Sequence, residues 1–481
     1  MFKRLFSNPI FGYVSSRYAT YAIQFVNAMF IAVYLGPVNL GIWGFINLVL
    51  QYLSQLNFGI PHSVNTIASI KKHHGLYIAQ VVGNAIVILL FLSGIVGLLF
   101  LLNSALHWEI GTKYHFGKYS VYVFIIAIFT YFSTLLSVIF RLYGKLAEIA
   151  FSQSIFPVAV LVVLLLVDRD NLLDYLVYTF LVTTVLSVLV FIVRCPIQIR
   201  LNINKRLWWV IQKKGWYLFL YNSSFYLIII TTRSFVSNYY TVKEFGYFTF
   251  SFSLANVILM LLTTFTFLIW PKLLNSLSQL SAEKSFALIK KIRSLYVSTS
   301  HLLVHFGIFL FPYFLLFFPQ YRGTFEAFAL IALTIVLYTN CFGYQGLLIA
   351  RQKEKTVGYL SMSALALNLV LCYLMITVFD VGFEKVILAT MTSYVLYVFI
   401  MGVLGRKVLN IPFDLKECLS DIFPPAIMVP VVLSIVLLLF QVNNYAFFIP
   451  IVLYILLNFK EYHPLKKTIQ ELLINPDKIN F

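Results

Sequence analysis

Residues 34–59 read YLGPVNLGIWGFINLVLQYLSQLNFG. Gly36 and Pro37 stand between two apolar stretches, and such a pair punctuates helices because proline lacks an amide donor and glycine lacks a Cβ. The stretches on either side, 11–33 and 42–68, each exceed the roughly 20 residues that a bilayer-crossing helix needs. Working outward, the same alternation of apolar block and short break continues to residue 459 and predicts fourteen spans. Hydrophobic residues make up 61% of the 481 positions and charged residues 11%, whereas a soluble domain carries about 25% charged residues. Alternating ten-residue segments of the barrel type are absent, so the reading is an all-α integral membrane protein of about fourteen transmembrane helices.

Charge placement supplies the expected topology. With the N-terminus inside, cytoplasmic connections hold 27 of the 35 Lys and Arg residues, the positive-inside pattern. Both termini are therefore expected in the cytoplasm, in a multi-pass protein of the cytoplasmic membrane. The net charge of +18 is read as orienting the chain against membrane lipids, with no nucleic-acid partner. The apolar start is interrupted by Arg17 and shows no small-residue cleavage site, so it is read as a retained span. Cys195, Cys341, Cys372 and Cys418 are scattered and suggest neither a disulfide framework nor a metal site. His301 and His305 share i, i+4 spacing without a third ligand, and no metal site is read there either. No phosphate-binding glycine loop or other cofactor motif is present, nor a nucleophile and base pair, so no cofactor and no enzyme activity are expected.

A basic stretch, RCPIQIRLNINKRLWWVIQKKG, begins at Arg194 and divides the chain. Its Trp208, Trp209 and Trp216 suit a helix lying at the membrane surface. Across it, an offset of 205 places Gly41 on Gly246 and residues 40–45 on residues 245–250. Six spans separate the copies, an even number, so the repeats run parallel. The expected organisation is an N-lobe of six spans over 1–194, a cytoplasmic basic linker with an interfacial helix over 195–214 and a C-lobe of six spans over 215–405. Two further spans over 406–459 and a cytoplasmic tail over 460–481 complete it.

Ionisable groups at membrane depth are costly and mark function. Only Arg17 and Arg233 are read as charges well inside spans. Arg17 shares a helix face with Tyr13, Thr20, Tyr21 and Gln24, and Arg233 shares one with Asn222, because steps of three, four and seven return to one side. The second span adds Asn47, Gln51, Gln55, His62 and Asn65, and the offset places Asn256 opposite Gln51. These residues predict a polar, cationic cavity lined by spans 1, 2, 7 and 8. No Asp or Glu occurs before Glu109, so an anionic ligand suits the cavity, and arginine recognises phosphate through paired hydrogen bonds.

Arg17 in span 1, residues 34–45 in the first outside loop, Asn57-Phe58-Gly59-Ile60-Pro61, and Gly343-Tyr344-Gln345-Gly346 followed by Arg351-Gln352-Lys353-Glu354-Lys355 together resemble bacterial polysaccharide flippases of the Wzx type. The resemblance covers essentially the whole chain. It implies a fold of the MOP superfamily, MATE-like, and translocation of undecaprenyl-diphosphate-linked oligosaccharide by alternating access, for O-antigen, capsule or exopolysaccharide. It implies as partners that lipid-linked glycan, membrane lipids, and the polymerase and glycosyltransferases of the same pathway. It also implies a substrate-binding lumen, onto which Arg17, Arg233, Gln24, Gln51, His62, Asn65, Asn222 and Asn256 map. Two alternatives stand beside it. A multidrug cation antiporter would place a carboxylate in its first lobe, and a lipid II flippase would show several arginines in spans 1 and 2, where this chain has one.

Overall fold

The computed structural model describes residues 9–70, 75–105 and 111–459, and the side chains of Asn222 and of other helix positions, 261–269 among them, lie outside that description. Among the described residues nine helices are long and apolar enough to cross a membrane, or ten if a pair bent by 72° counts as one. The helices are α1 (Pro9–Gln55), α2 (Ile60–Ile70), α3 (Gly75–Ala105), α4 (Ser120–Leu142), α5 (Leu146–Leu166), α6 (Leu172–Val193), α7 (Lys205–Tyr239) and α8 (Val242–Gln279). They continue as α9 (Ala282–Phe314), α10 (Phe325–Tyr338), α11 (Tyr344–Ala350), α12 (Glu354–Thr377), α13 (Ile387–Val408), α14 (Leu415–Ile422), α15 (Pro425–Leu439) and α16 (Phe448–Asn458). A kink at Gly36 divides α1, while α2 continues the second span and α11 the tenth. Fourteen segments thus follow one another in the predicted order, in a multi-pass membrane protein.

The chain forms two compact units, residues 1–249 and 250–481. In the first, α1 packs along α5, and α4 along α6. Gly36 makes the kink with φ 67° and ψ 173°, a backbone state that a Cβ disfavours and that glycine reaches freely. A second break follows Gln55, where the Gly59 backbone N–H donates to Asn57 Oδ1 at 2.9 Å and Gly59 has φ 71°. An added methyl at Gly59 would press on the Gly215 carbonyl at 2.6 Å.

The first turns of α8 cross the start of the second span without side chains between them. A methyl at Gly41 would strike the Val242 carbonyl oxygen, and one at Gly246 would strike that of Pro37. Val242 follows Pro37 by 205 positions, as Gly246 follows Gly41, so the repeat-related residues meet reciprocally. Gly246→Ala is expected to lose about 1–3 kcal/mol of stability by forcing backbone apart. Thermal unfolding checks it against Gly94→Ala, whose added methyl has nothing within 4 Å; equal melting of the two variants would show that the crossing yields.

The loop after α3 closes over the end of α7. Lys113 Nζ donates to the carbonyls of Asn238 and Tyr240, each at 3.0 Å, and the Tyr114 hydroxyl donates to Ser237 O at 2.6 Å. These are terminal carbonyls that a helix cannot satisfy internally. Burial pushes the Lys113 ammonium below its usual range and the Tyr114 phenol above its own.

The basic linker departs from the expectation of a separate surface helix. Lys205–Tyr239 is one continuous helix, so 205–214 forms the opening turns of the seventh span. Asn204 caps it, its side-chain oxygen accepting from the amides of Arg206 and Leu207. The preceding extended residues cross α3, where the Asn204 backbone N–H donates to Asn84 Oδ1 at 2.8 Å and Gly83 admits the Arg200 carbonyl. Trp208 packs on Phe91, while Trp209 and Trp216 are exposed.

In the second unit, a charged knot gathers the ends of several helices. Arg293 donates to Asp421 Oδ1 at 3.0 Å and to the carbonyls of Asn340 and Ile422, and the Tyr344 hydroxyl donates to Asp421 Oδ2. Arg406 lies 3.6 Å from Asp421 Oδ2 and 3.2 Å from Glu417 Oε2. Both arginines are only 5% exposed. Buried arginine is thus not confined to Arg233: Arg293 and Arg406, which hydropathy assigns to connections, are buried against carboxylates. The Gly343-Tyr344 motif acquires a physical basis here: Gly343 has φ 90°, and an added methyl would press on Ile289 and Arg293. The last two spans seat on α9, with the Tyr454 hydroxyl donating to Ser298 O at 2.7 Å.

Candidate functional site

Arg17 is half-buried on α1, facing α5. Its Nη1 donates to Gln153 Oε1 at 2.6 Å, and its guanidinium lies over the Tyr21 ring at 5.0 Å. The Tyr13 hydroxyl also reaches Gln153 Oε1, at 3.4 Å, and Thr20 Oγ1 meets Ser154 Oγ at 2.6 Å. Among the described residues no carboxylate stands within 4.0 Å of Arg17. One turn away, Gly12, Tyr13, Lys145 and Glu148 line a cleft of about 590 Å³ that begins at the turn between α4 and α5. Glu148 faces Arg194 at 3.8 Å. A cation held by a neutral amide beside such a cleft can accept an anion, since its Nε and Nη2 edge remains for paired hydrogen bonds.

Arg233 is 3% exposed, and its guanidinium is occupied within the first unit. Nη1 donates to Gln51 Oε1 at 2.8 Å and Nη2 to the Gly44 carbonyl at 3.4 Å. Beside it, the Tyr52 hydroxyl and Ser234 Oγ stand 2.7 Å apart, and further back along α7 Ser223 donates to Gln55 Oε1 at 2.7 Å. Of the amide face expected on the second span, Gln51 and Gln55 are engaged with α7, Asn47 bonds Trp43 O of its own helix, and the break after Gln55 interrupts the face.

The structure thus brings together Arg233 and Gln51 and leaves Arg17 on a different helix pair. Gln24 lies two turns from Arg17, its Oε1 buried with no hydrogen-bond partner among the described residues. His62 is exposed and Asn65 half-buried on α2. Asn256 is half-buried in the second unit, and the Asn222 side chain lies outside the described residues. Sequence reasoning missed Gln153, although Ser152-Gln153-Ser154 is a polar triplet inside an otherwise apolar span.

No protein-family model and no curated protein matches the chain. Among solved structures, the lipid II flippase MurJ in its inward closed conformation superimposes with a TM-score of 0.67 at 14% identity, covering 95% of this chain and 99% of MurJ. The MATE multidrug transporter DinF-BH gives a TM-score of 0.58 at 15% identity, covering 85% and 97%. The eukaryotic MATE transporter AtDTX14 gives 0.53 at 10% identity, covering 87% and 98%.

The chain has the MurJ and MATE fold. This fold is the one predicted above: six-helix lobes in parallel pseudo-repeat with two added C-terminal helices. Coverage separates the matches, since the MurJ match spans 95% of the chain and the two MATE matches 85% and 87%. Within this chain Arg17 lies on the first helix and its glutamine partner on the fifth span, 136 residues later.

Proposed function

We propose that this protein is a flippase of the bacterial cytoplasmic membrane, moving an undecaprenyl-diphosphate-linked oligosaccharide from the inner to the outer leaflet by alternating access. Its product would enter O-antigen, capsule or exopolysaccharide synthesis, alongside a polymerase and glycosyltransferases. The observation that carries the reading is Arg17, a half-buried guanidinium held by a glutamine amide in a sequence without any carboxylate before residue 109. A cation or drug carrier needs negative charge at that depth, whereas a diphosphate needs what Arg17 provides. In this reading the diphosphate meets Arg17 from the cleft at Tyr13 and Lys145. The sugar then contacts Gln24, His62, Asn65 and Asn222, and Arg233 takes the phosphates once Gln51 and Gly44 release it. The prenyl chain stays in lipid, and both termini face the cytoplasm.

The likeness to MurJ is compatible with a lipid-linked substrate and keeps lipid II as a second reading. Cells lacking the protein should accumulate lipid-diphosphate-linked glycan on the cytoplasmic face, with relief on complementation. An unchanged leaflet distribution, together with altered drug susceptibility, would overturn the proposal in favour of a MATE-like antiporter. Relief of a peptidoglycan-precursor block would select lipid II.

A further inference from the structure

The chain holds its buried arginines in two ways. In the second unit Arg293 and Arg406 meet Asp421 and Glu417, so their charge is cancelled where it sits. In the first unit Arg17 is held by the side-chain oxygen of Gln153 at 2.6 Å, and the same chemistry recurs at Arg233, whose Nη1 donates to Gln51 Oε1 at 2.8 Å. A glutamine oxygen fixes one guanidinium nitrogen as well as a glutamate oxygen would, and the two side chains have the same length and shape. Geometry therefore does not distinguish them; charge does. A carboxylate at position 153 would offset the cost of holding a partly buried cation away from water. The first unit forgoes that relief at Arg17.

We infer that Gln153 is a charge-preserving positioning residue, which fixes the orientation of Arg17 without neutralising it so that the guanidinium is presented to phosphate. Three further observations fit the assignment. Nη1 is committed to Gln153, which leaves the Nε and Nη2 edge as a fork for two phosphate oxygens. The Tyr21 ring lies 5.0 Å from the guanidinium and restrains its plane. Tyr13 both bonds Gln153 Oε1 and lines the cleft through which an anion would arrive. The inference rests on the diphosphate reading above and deepens it by naming the residue that keeps the site cationic.

The test compares Gln153→Leu with Gln153→Glu in full-length protein reconstituted in nanodiscs, with farnesyl diphosphate as the probe and farnesol as the control. Leucine removes the hydrogen bond and keeps the charge, so binding is expected to weaken about threefold through lost orientation. Glutamate keeps a hydrogen bond and cancels the charge, so binding is expected to weaken more than about tenfold while the melting temperature holds or rises. A purely structural role predicts the reverse order, because glutamate preserves the contact that leucine destroys. Binding by Gln153→Glu equal to or better than that by Gln153→Leu overturns the inference and leaves the flippase reading standing. Wild-type protein that binds farnesyl diphosphate no better than farnesol overturns both.

Discussion

Asp421→Ala is expected to lower stability by about 3–5 kcal/mol, the cost of leaving buried cations without their counter-ion. Asp421 serves Arg293 through Oδ1 at 3.0 Å and Arg406 through Oδ2 at 3.6 Å, and it also accepts from Tyr344. With the carboxylate gone, two guanidinium groups whose side chains are 6% exposed face each other's field with only the exposed Glu417 nearby. The effect should spread beyond the residue. Asp421 lies on α14, the short helix leading into the last two spans, so those spans should become protease-sensitive before the rest. Asp421→Asn keeps an acceptor oxygen and should lose less. Replacing the whole knot, with Arg293→Met, Arg406→Met and Asp421→Leu together, should recover much of the loss, since apolar groups of similar volume are often neutral in place of buried ions. Thermal unfolding in detergent measures all three. An Asp421→Ala protein melting with wild type would mean that water already solvates the knot.

Arg17→Ala should leave the fold intact and reduce glycan translocation between about ten- and a hundredfold, as expected from losing charge-assisted hydrogen bonds worth about 1.5–3 kcal/mol. The half-buried position and the neutral partner make the fold's dependence on this residue small, in contrast to Asp421. Arg17→Lys restores the charge without the planar fork and should recover only part of the rate. Leaflet distribution of the lipid-linked glycan, at matched expression, reads the effect. Wild-type transport by Arg17→Ala would remove this residue from the substrate path.

The fold is legible in the sequence because apolar blocks and the Gly36-Pro37 break act over short sequence distances. Span order follows from hydropathy, and the repeat from Gly41 and Gly246 at an offset of 205. Partners are not legible. Gln153 lies 136 positions from Arg17 and Asp421 lies 128 from Arg293, and no local pattern connects residues so far apart. Hydropathy also gives no hint that Arg293 and Arg406 are buried, because it scores a cation without knowing whether an anion stands beside it. The same bias makes 205–214 look like a detached surface element, whereas helical hydrogen bonding carries straight through its lysines into the seventh span. The engaged state of Arg233 is equally hidden, since its spacing on the helix says nothing about how closely the second span approaches.

The reciprocal meeting of Gly41 with Val242 and Gly246 with Pro37 has the form of an isologous contact, in which residue i touches j and the copy of i touches the copy of j. A homodimer of half-length chains would make it through one self-complementary patch, where every substitution lands twice. Fused into one polypeptide, the two sides mutate separately. That freedom lets the first repeat hold Arg17 with a glutamine while the second carries Arg293 against a carboxylate.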